Sequence, residues 1–163
     1  MEKLKENLLK LLCENAKYTN AQMATMLGEK EEAVSAAVKE LEKSGVIVKY
    51  SAILDTEVLA ENSVQALIEV KVAPQKLNGF DSYAEEIYNF PEVKSLYLMS
   101  GGFDLTVFVE GKTLTDIAKF VAEKLSVIDG ITSVATHFIL KKYKIEGCVT
   151  SKKEEIKRQI IQA

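Results

Sequence analysis

The chain has 163 residues, 47% hydrophobic and 28% charged, with a net charge of −3 and an isoelectric point near 5.4. Those figures fit an ordinary soluble protein of one medium or two small domains, and they lack the strongly basic profile of a non-specific nucleic-acid binder. No apolar run approaches the ~20 residues that span a bilayer. Glu2, Glu6 and Glu14 interrupt what would be the core of a secretory signal, so a cytoplasmic protein without membrane attachment is expected. The two cysteines, Cys13 and Cys148, lie in opposite halves, and His137 is the single histidine. Neither zinc-finger spacing nor a disulfide framework results. The cysteines are expected as small buried or half-buried residues, and His137 as a strand residue.

Leu4, Leu8, Leu11 and Leu12 recur at helical spacing across residues 2–15, the signature of an amphipathic helix. Thr19 or Asn20 can cap the next helix, which turns Met23, Ala24 and Leu27 inward and ends at a turn permitted by Gly28. A third helix is expected over about 30–44, with Val34, Ala37, Val38 and Leu41 at i, i+3, i+4 and i+7 and Gly45 as its stop. Val46, Ile47 and Val48 open a strand or wing over 46–54, and 55–63 reads as a polar connector. Helix, tight turn, helix and wing are the order of a winged helix-turn-helix, which lays its second helix in a DNA major groove.

The second half changes period. Val64, Ala66, Ile68, Val70 and Val72 alternate with mostly polar neighbours, a strand that ends at Pro74. Phe80, Tyr83, Ala84, Ile87 and Tyr88 repeat helically, and Pro91 ends that helix. A strand over 93–100, a tight hairpin at Gly101-Gly102 and a strand with Leu105, Val107 and Val109 follow. A helix carries Leu114, Ile117, Ala118, Val121 and Leu125, Asp129-Gly130 turns, and 131–140 is a last strand. The β-α-β-β-α-β order is a ferredoxin-like unit, an antiparallel sheet with helices on one face. Nothing left in the chain covers the other face, so a dimer is expected. Residues 151–162 read either as a short charged helix with Ser151 and Glu154 in a capping box or as a solvated tail.

LEKSGVIVKYSAILD at 41–55 and SLYLMSGGFDLTVFVEG at 95–111 stand in that order, each in its expected place. With them, residues 3–145 resemble the leucine-responsive regulator/AsnC (Lrp/AsnC) family of transcriptional regulators. The resemblance implies an α+β protein in which a winged helix-turn-helix (1–50) and a connecting strand and linker (51–63) precede a ferredoxin-like sensing and oligomerisation domain (64–145) and a charged tail (146–163). It also implies double-stranded DNA as a partner, homodimers that assemble further, often to octamers, and a small effector such as an amino acid bound between sensing domains. No catalytic activity, cofactor or metal is implied.

The residues qualify that picture at the DNA-reading helix. Residues 20–45 hold three lysines against five glutamates, a local balance of −2, and Arg158 in the tail is the sole arginine. Arginine presents the rigid fork that grips guanine edges, and lysine is a poorer substitute. Candidate DNA contacts are Asn20, Ser35, Ala36, Lys39, Lys43, Lys49 and Tyr50, the lysines mainly to phosphates. The alternative is an amino-acid-binding protein that joins a DNA-competent paralogue in mixed assemblies. Candidate effector contacts, from the resemblance, are Met99, Ser100, Gly101, Gly102, Asp104, Ser133 and Thr136. The glycines would allow close backbone approach and positive φ, and Asp104 would hold an ammonium group. The bland alternative is that Gly101 to Asp104 is only a turn. One histidine and no nucleophile–base pair argue against an enzyme.

Overall fold

The computed structural model describes residues 2–54, 63–73 and 79–150. The chain divides into two compact units, residues 1–53 and 54–163.

In the first unit, α1 (Glu2–Glu14), α2 (Asn20–Leu27) and α3 (Glu31–Lys43) close around Leu8, Met23, Ala24, Val34, Ala37 and Val38. Of the leucines on α1 only Leu8 is fully buried; Leu4, Leu11 and Leu12 are half-buried at the edge of this small core. Thr19 caps α2. Its hydroxyl accepts from the Gln22 amide at 3.2 Å, and the Gln22 side chain accepts from the Thr19 amide at 2.9 Å. This reciprocal box satisfies two amides at the start of the helix that would otherwise lack partners. Gly28 ends α2 in the left-handed region at φ 68°, a conformation that costs glycine little. Residues 46–54, expected as a strand or wing, follow α3 as irregular chain, with Val48 90% exposed and without a strand partner among the described residues.

In the second unit, the sheet runs β2-β3-β1-β4, all antiparallel, from β1 (Val64–Val72), β2 (Val93–Leu98), β3 (Leu105–Gly111) and β4 (Ile131–Phe138). Helices α4 (Asp81–Tyr88) and α5 (Leu114–Phe120) bury Tyr83, Ile87, Ile117 and Phe120 against Ala66, Ile68, Val70, Leu105, Val107 and Val109. The register fixes what lies on the other face. Leu67 pairs with Phe108 and His137, and Glu69 pairs with Thr106 and Ala135. Tyr97 stands across from Thr106, over half exposed, with its ring edge-on to Phe108 at 6.0 Å.

Four local features depart from the sequence expectation. The helix expected to run through Leu125 changes at Phe120 into one π-helical turn, Val121–Leu125. That turn carries Lys124, which sits over the Phe90 ring and donates to Glu92 at 2.5 Å. This hydrogen bond lowers the Glu92 carboxyl below its ordinary value, against a smaller opposing effect of burial. The link from β2 to β3 is a loop over 99–104 rather than a two-residue turn. A short hairpin, β5 (Lys144–Ile145) with β6 (Cys148–Val149), follows the sheet and straddles the expected boundary with the tail. Both cysteines are exposed, not buried: Cys13 occupies an outer position of α1, and Cys148 lies on this hairpin. The expected tail helix, most of the polar connector and Pro74 fall outside the described residues.

Candidate functional site

Helix α3 turns Val34, Ala37, Val38 and Leu41 into the core. The same periodicity sets Glu32, Ala36, Lys39 and Lys43 in one exposed row at i, i+4, i+7 and i+11. The glutamates of this segment are not equivalent. Glu40 accepts from Lys5 of α1 at 2.5 Å, and Glu42 accepts from the Tyr50 hydroxyl at 3.0 Å. Burial, and then the Glu42 carboxylate, push the Tyr50 hydroxyl above its ordinary pKa, so it stays a donor. Glu32, Lys39 and Lys43 have no hydrogen-bond or ion-pair partner among the described residues. The outward row therefore sets one carboxylate against two ammonium groups, although the segment as a whole is acidic. Exposed pairs like Lys5–Glu40 add at most about 1 kcal/mol; their effect here is to place charge.

Asn20, Ser35, Lys39 and Tyr50 come together around a depression of about 290 Å³, with Glu42 and Tyr18 on its wall. Ala36 and Lys43 lie outside it on the exposed row, and Lys49 stands in the irregular segment beyond α3. Tyr50 reaches α3 because the chain turns back after Gly45, with the Ile47 amide donating to the Leu41 carbonyl at 3.1 Å. The pinning of Glu40 and Glu42 was not readable from the sequence, because each partner sits on another segment.

At one end of the sheet, the 99–104 loop is held from three sides. The Met99 amide donates to the Asp104 carbonyl at 2.8 Å, and the Asp104 amide donates to the Val70 carbonyl at 3.0 Å. Asp104 Oδ2 accepts from the Val72 amide at 2.9 Å, where the pairing of β1 with β4 shifts register. Asp104 is thus a structural pin, with one carboxylate oxygen already engaged. Neither Gly101 nor Gly102 adopts positive φ, and a Cβ on either would meet only open space. Backbone geometry does not demand glycine at these positions; what they provide is an unobstructed loop surface. Ser133 pairs with Lys71 near this loop. Thr136 pairs with Ile68, so it lies on the opposite, helix-covered side of β4. The structure brings Met99 to Asp104 together at the end of the sheet that also holds Ser133, and it turns Thr136 away from Ser133.

Two features on the second sheet face escaped the sequence reading. His137 Nε2 lies 3.5 Å from Glu69, and the Thr106 hydroxyl is buried with no hydrogen-bond partner among the described residues. Only the cross-strand register could have revealed either. A separate depression of about 330 Å³ lies between α4 and β2, lined by Phe80, Tyr88, Leu96 and Leu98.

A helix-turn-helix unit followed by a helix-backed antiparallel sheet is a two-unit architecture whose first unit is of the DNA-binding class. Comparison with known proteins sharpens this. Residues 1–48 match the winged helix-turn-helix DNA-binding model, and residues 65–148 match the Lrp/AsnC ligand binding domain. The chain is 43% identical over 155 residues to the Bacillus subtilis HTH-type transcriptional regulator YugG, covering 94% of this chain and 93% of that one. It is 32% identical over 137 residues to the regulator LrpA of Pyrococcus horikoshii, covering 84% and 94%. The solved complex of the Neisseria meningitidis transcriptional regulator NMB0573 with L-methionine has the same fold: TM-score 0.67, 24% identity, 89% of this chain and 93% of that chain. The protein belongs to the Lrp/AsnC family of transcriptional regulators. No helix among the described residues is long and apolar enough to cross a membrane.

Proposed function

We propose that this regulator binds double-stranded DNA as a multimer, with α3 in the major groove, and that an amino acid bound between sensing domains modulates it. The observation that carries the DNA reading is the outward row of α3. Lys39 and Lys43 stand exposed with no partner among the described residues, while Glu40 and Glu42 are engaged elsewhere in the same unit. Lys39, Lys43 and Lys49 meet phosphates and set register, while Asn20, Ser35 and Tyr50 line the adjoining depression. Few cationic contacts per head make each head weak, and linked heads recover affinity by ~100-fold or more.

The multimer reading rests on the second sheet face, where Leu67, Tyr97 and Phe108 remain partly exposed and the buried Thr106 hydroxyl lacks a partner. A second copy of the sheet removes that apolar surface from water. Assembly of such dimers into octamers follows the family pattern. The effector reading rests on the 99–104 loop, whose exposed backbone and single available Asp104 oxygen suit an α-amino acid, and on a fold neighbour solved with L-methionine. Thr136 acts in that reading only through the backbone of β4. The protein works where the DNA is, in the cytoplasm.

Fluorescence anisotropy on the protein's own upstream DNA and on an unrelated duplex, across a salt series, tests the DNA reading. Specific binding with a shallow salt slope supports it. No binding to any duplex at low salt favours the second reading, an amino-acid-binding partner of a DNA-competent paralogue, for which the unpaired Glu32 at the front of α3 speaks. Light scattering tests assembly: a monomeric mass at micromolar concentration refutes it.

A further inference from the structure

Glu32 is the carboxylate on the outward row of α3, with no hydrogen-bond or ion-pair partner among the described residues. It is exposed, sits in the first turn, and shares its row with Ala36 and Lys39. The positive end of the helix favours an acidic side chain at this position. Facing phosphates, such a group repels. Facing base edges, it is a hydrogen-bond acceptor, and in the major groove the cytosine N4 amino group is the donor that a carboxylate matches without competition from an acceptor on the same base. In helix-turn-helix proteins the first residues of the second helix are the ones that meet base edges, while residues further along meet the backbone. Glu32 has the first kind of position and Lys43 the second.

We infer that Glu32 is a base-reading residue, selecting a cytosine through its N4 amino group. One turn further on, the bare methyl of Ala36 packs on a base pair about two steps away and favours a thymine methyl. From Glu32 to Ala36 the helix advances about 6 Å, and stacked base pairs are about 3.4 Å apart, so the two side chains fall about two steps apart within one half-site. The arginine-poor helix is thus specific through acceptor and apolar contacts, with its lysines supplying the sequence-independent attraction. This inference rests on the DNA reading above.

The test is selection of bound duplexes from a randomised pool by the full-length protein and by Glu32→Ala and Glu32→Gln, with circular dichroism to verify that each variant is folded. The wild type is expected to enrich one invariant C·G pair per half-site. Glu32→Ala should lose that preference, by about tenfold in relative affinity, while keeping the rest of the site. Glu32→Gln should move the preference toward adenine, because a carboxamide pairs with adenine N6 and N7. Identical preferences in all three proteins would overturn the inference and leave the DNA reading standing. Failure of the wild type to enrich any duplex would overturn both.

Discussion

The two units treat their carboxylates in opposite ways. In the helix-turn-helix unit, internal bonds draw acids aside: Lys5 holds Glu40 and Tyr50 holds Glu42, which leaves a row facing out whose charged side chains have no partner among the described residues. In the sensing domain, the carboxylate nearest the candidate ligand loop is drawn inward, where Asp104 fastens the loop to β1. One unit exposes its chemistry on a rigid helix. The other builds the chemistry into the scaffold of the loop. Charge counting therefore misjudges both: it makes the first unit look too acidic to approach DNA, and it makes Asp104 look like an unoccupied ligand group.

The largest effect that probes this contrast is expected at Gly130. It holds φ 89°, and a Cβ there would lie 2.1 Å from the Tyr83 hydroxyl, which donates to the Ala73 carbonyl at 3.2 Å. Gly130→Ala should cost about 3 kcal/mol in denaturant unfolding of the sensing domain, by displacing a buried ring and straining the turn. Tyr83→Phe should cost only about 1 kcal/mol. Equal losses would mean that the hydrogen bond matters more than the space.

Asp104→Asn comes next. An amide oxygen can still accept from the Val72 amide, so the pin survives while the charge is removed. If Asp104 also holds an ammonium group, calorimetric affinity for a verified amino-acid effector should fall by about 2 kcal/mol with little change in stability. Unchanged affinity would reduce Asp104 to the pin alone.

Lys39→Ala should weaken binding to every duplex by a similar factor and reduce the salt slope by about one unit. Loss confined to one base position would transfer Lys39 from phosphate to base contact.

The smallest effect is expected at Glu92. Its folded-state carboxyl is lowered, chiefly by the Lys124 hydrogen bond, so its contribution is fully present above the ordinary value of 4.5 and disappears as pH falls through the lower folded value. Wild type should exceed Glu92→Gln by under about 1 kcal/mol at neutral pH, given the exposure of the pair, and the gap should close in acid. A gap that persists at low pH would assign the effect to packing.

Much of this architecture was legible in the sequence because it is local. The i, i+3, i+4, i+7 spacing of Val34, Ala37, Val38 and Leu41 reports a helix face, and the alternation from Val64 to Val72 reports a strand with one face buried. Irregular chain replaced the expected strand after α3 because a strand needs a neighbouring strand as well as apolar residues, and Val46 to Val48 pair with no strand among the described residues. The exposed cysteines and the β5–β6 hairpin escaped notice because two-residue strands and single side chains carry no period.

The sequence by itself determined the order of elements, the capping of α2 at Thr19, the turn at Gly28 and the family. Tertiary structure alone decided which acids of α3 are engaged, that Asp104 reaches the Val72 amide, and that Ser133 and Thr136 look to opposite sides of β4. The physical reason is range. Backbone propensity and periodicity act over a few residues and are written in them, whereas a hydrogen bond from Lys5 to Glu40, 35 residues away, exists only once the core has set the packing of the helices.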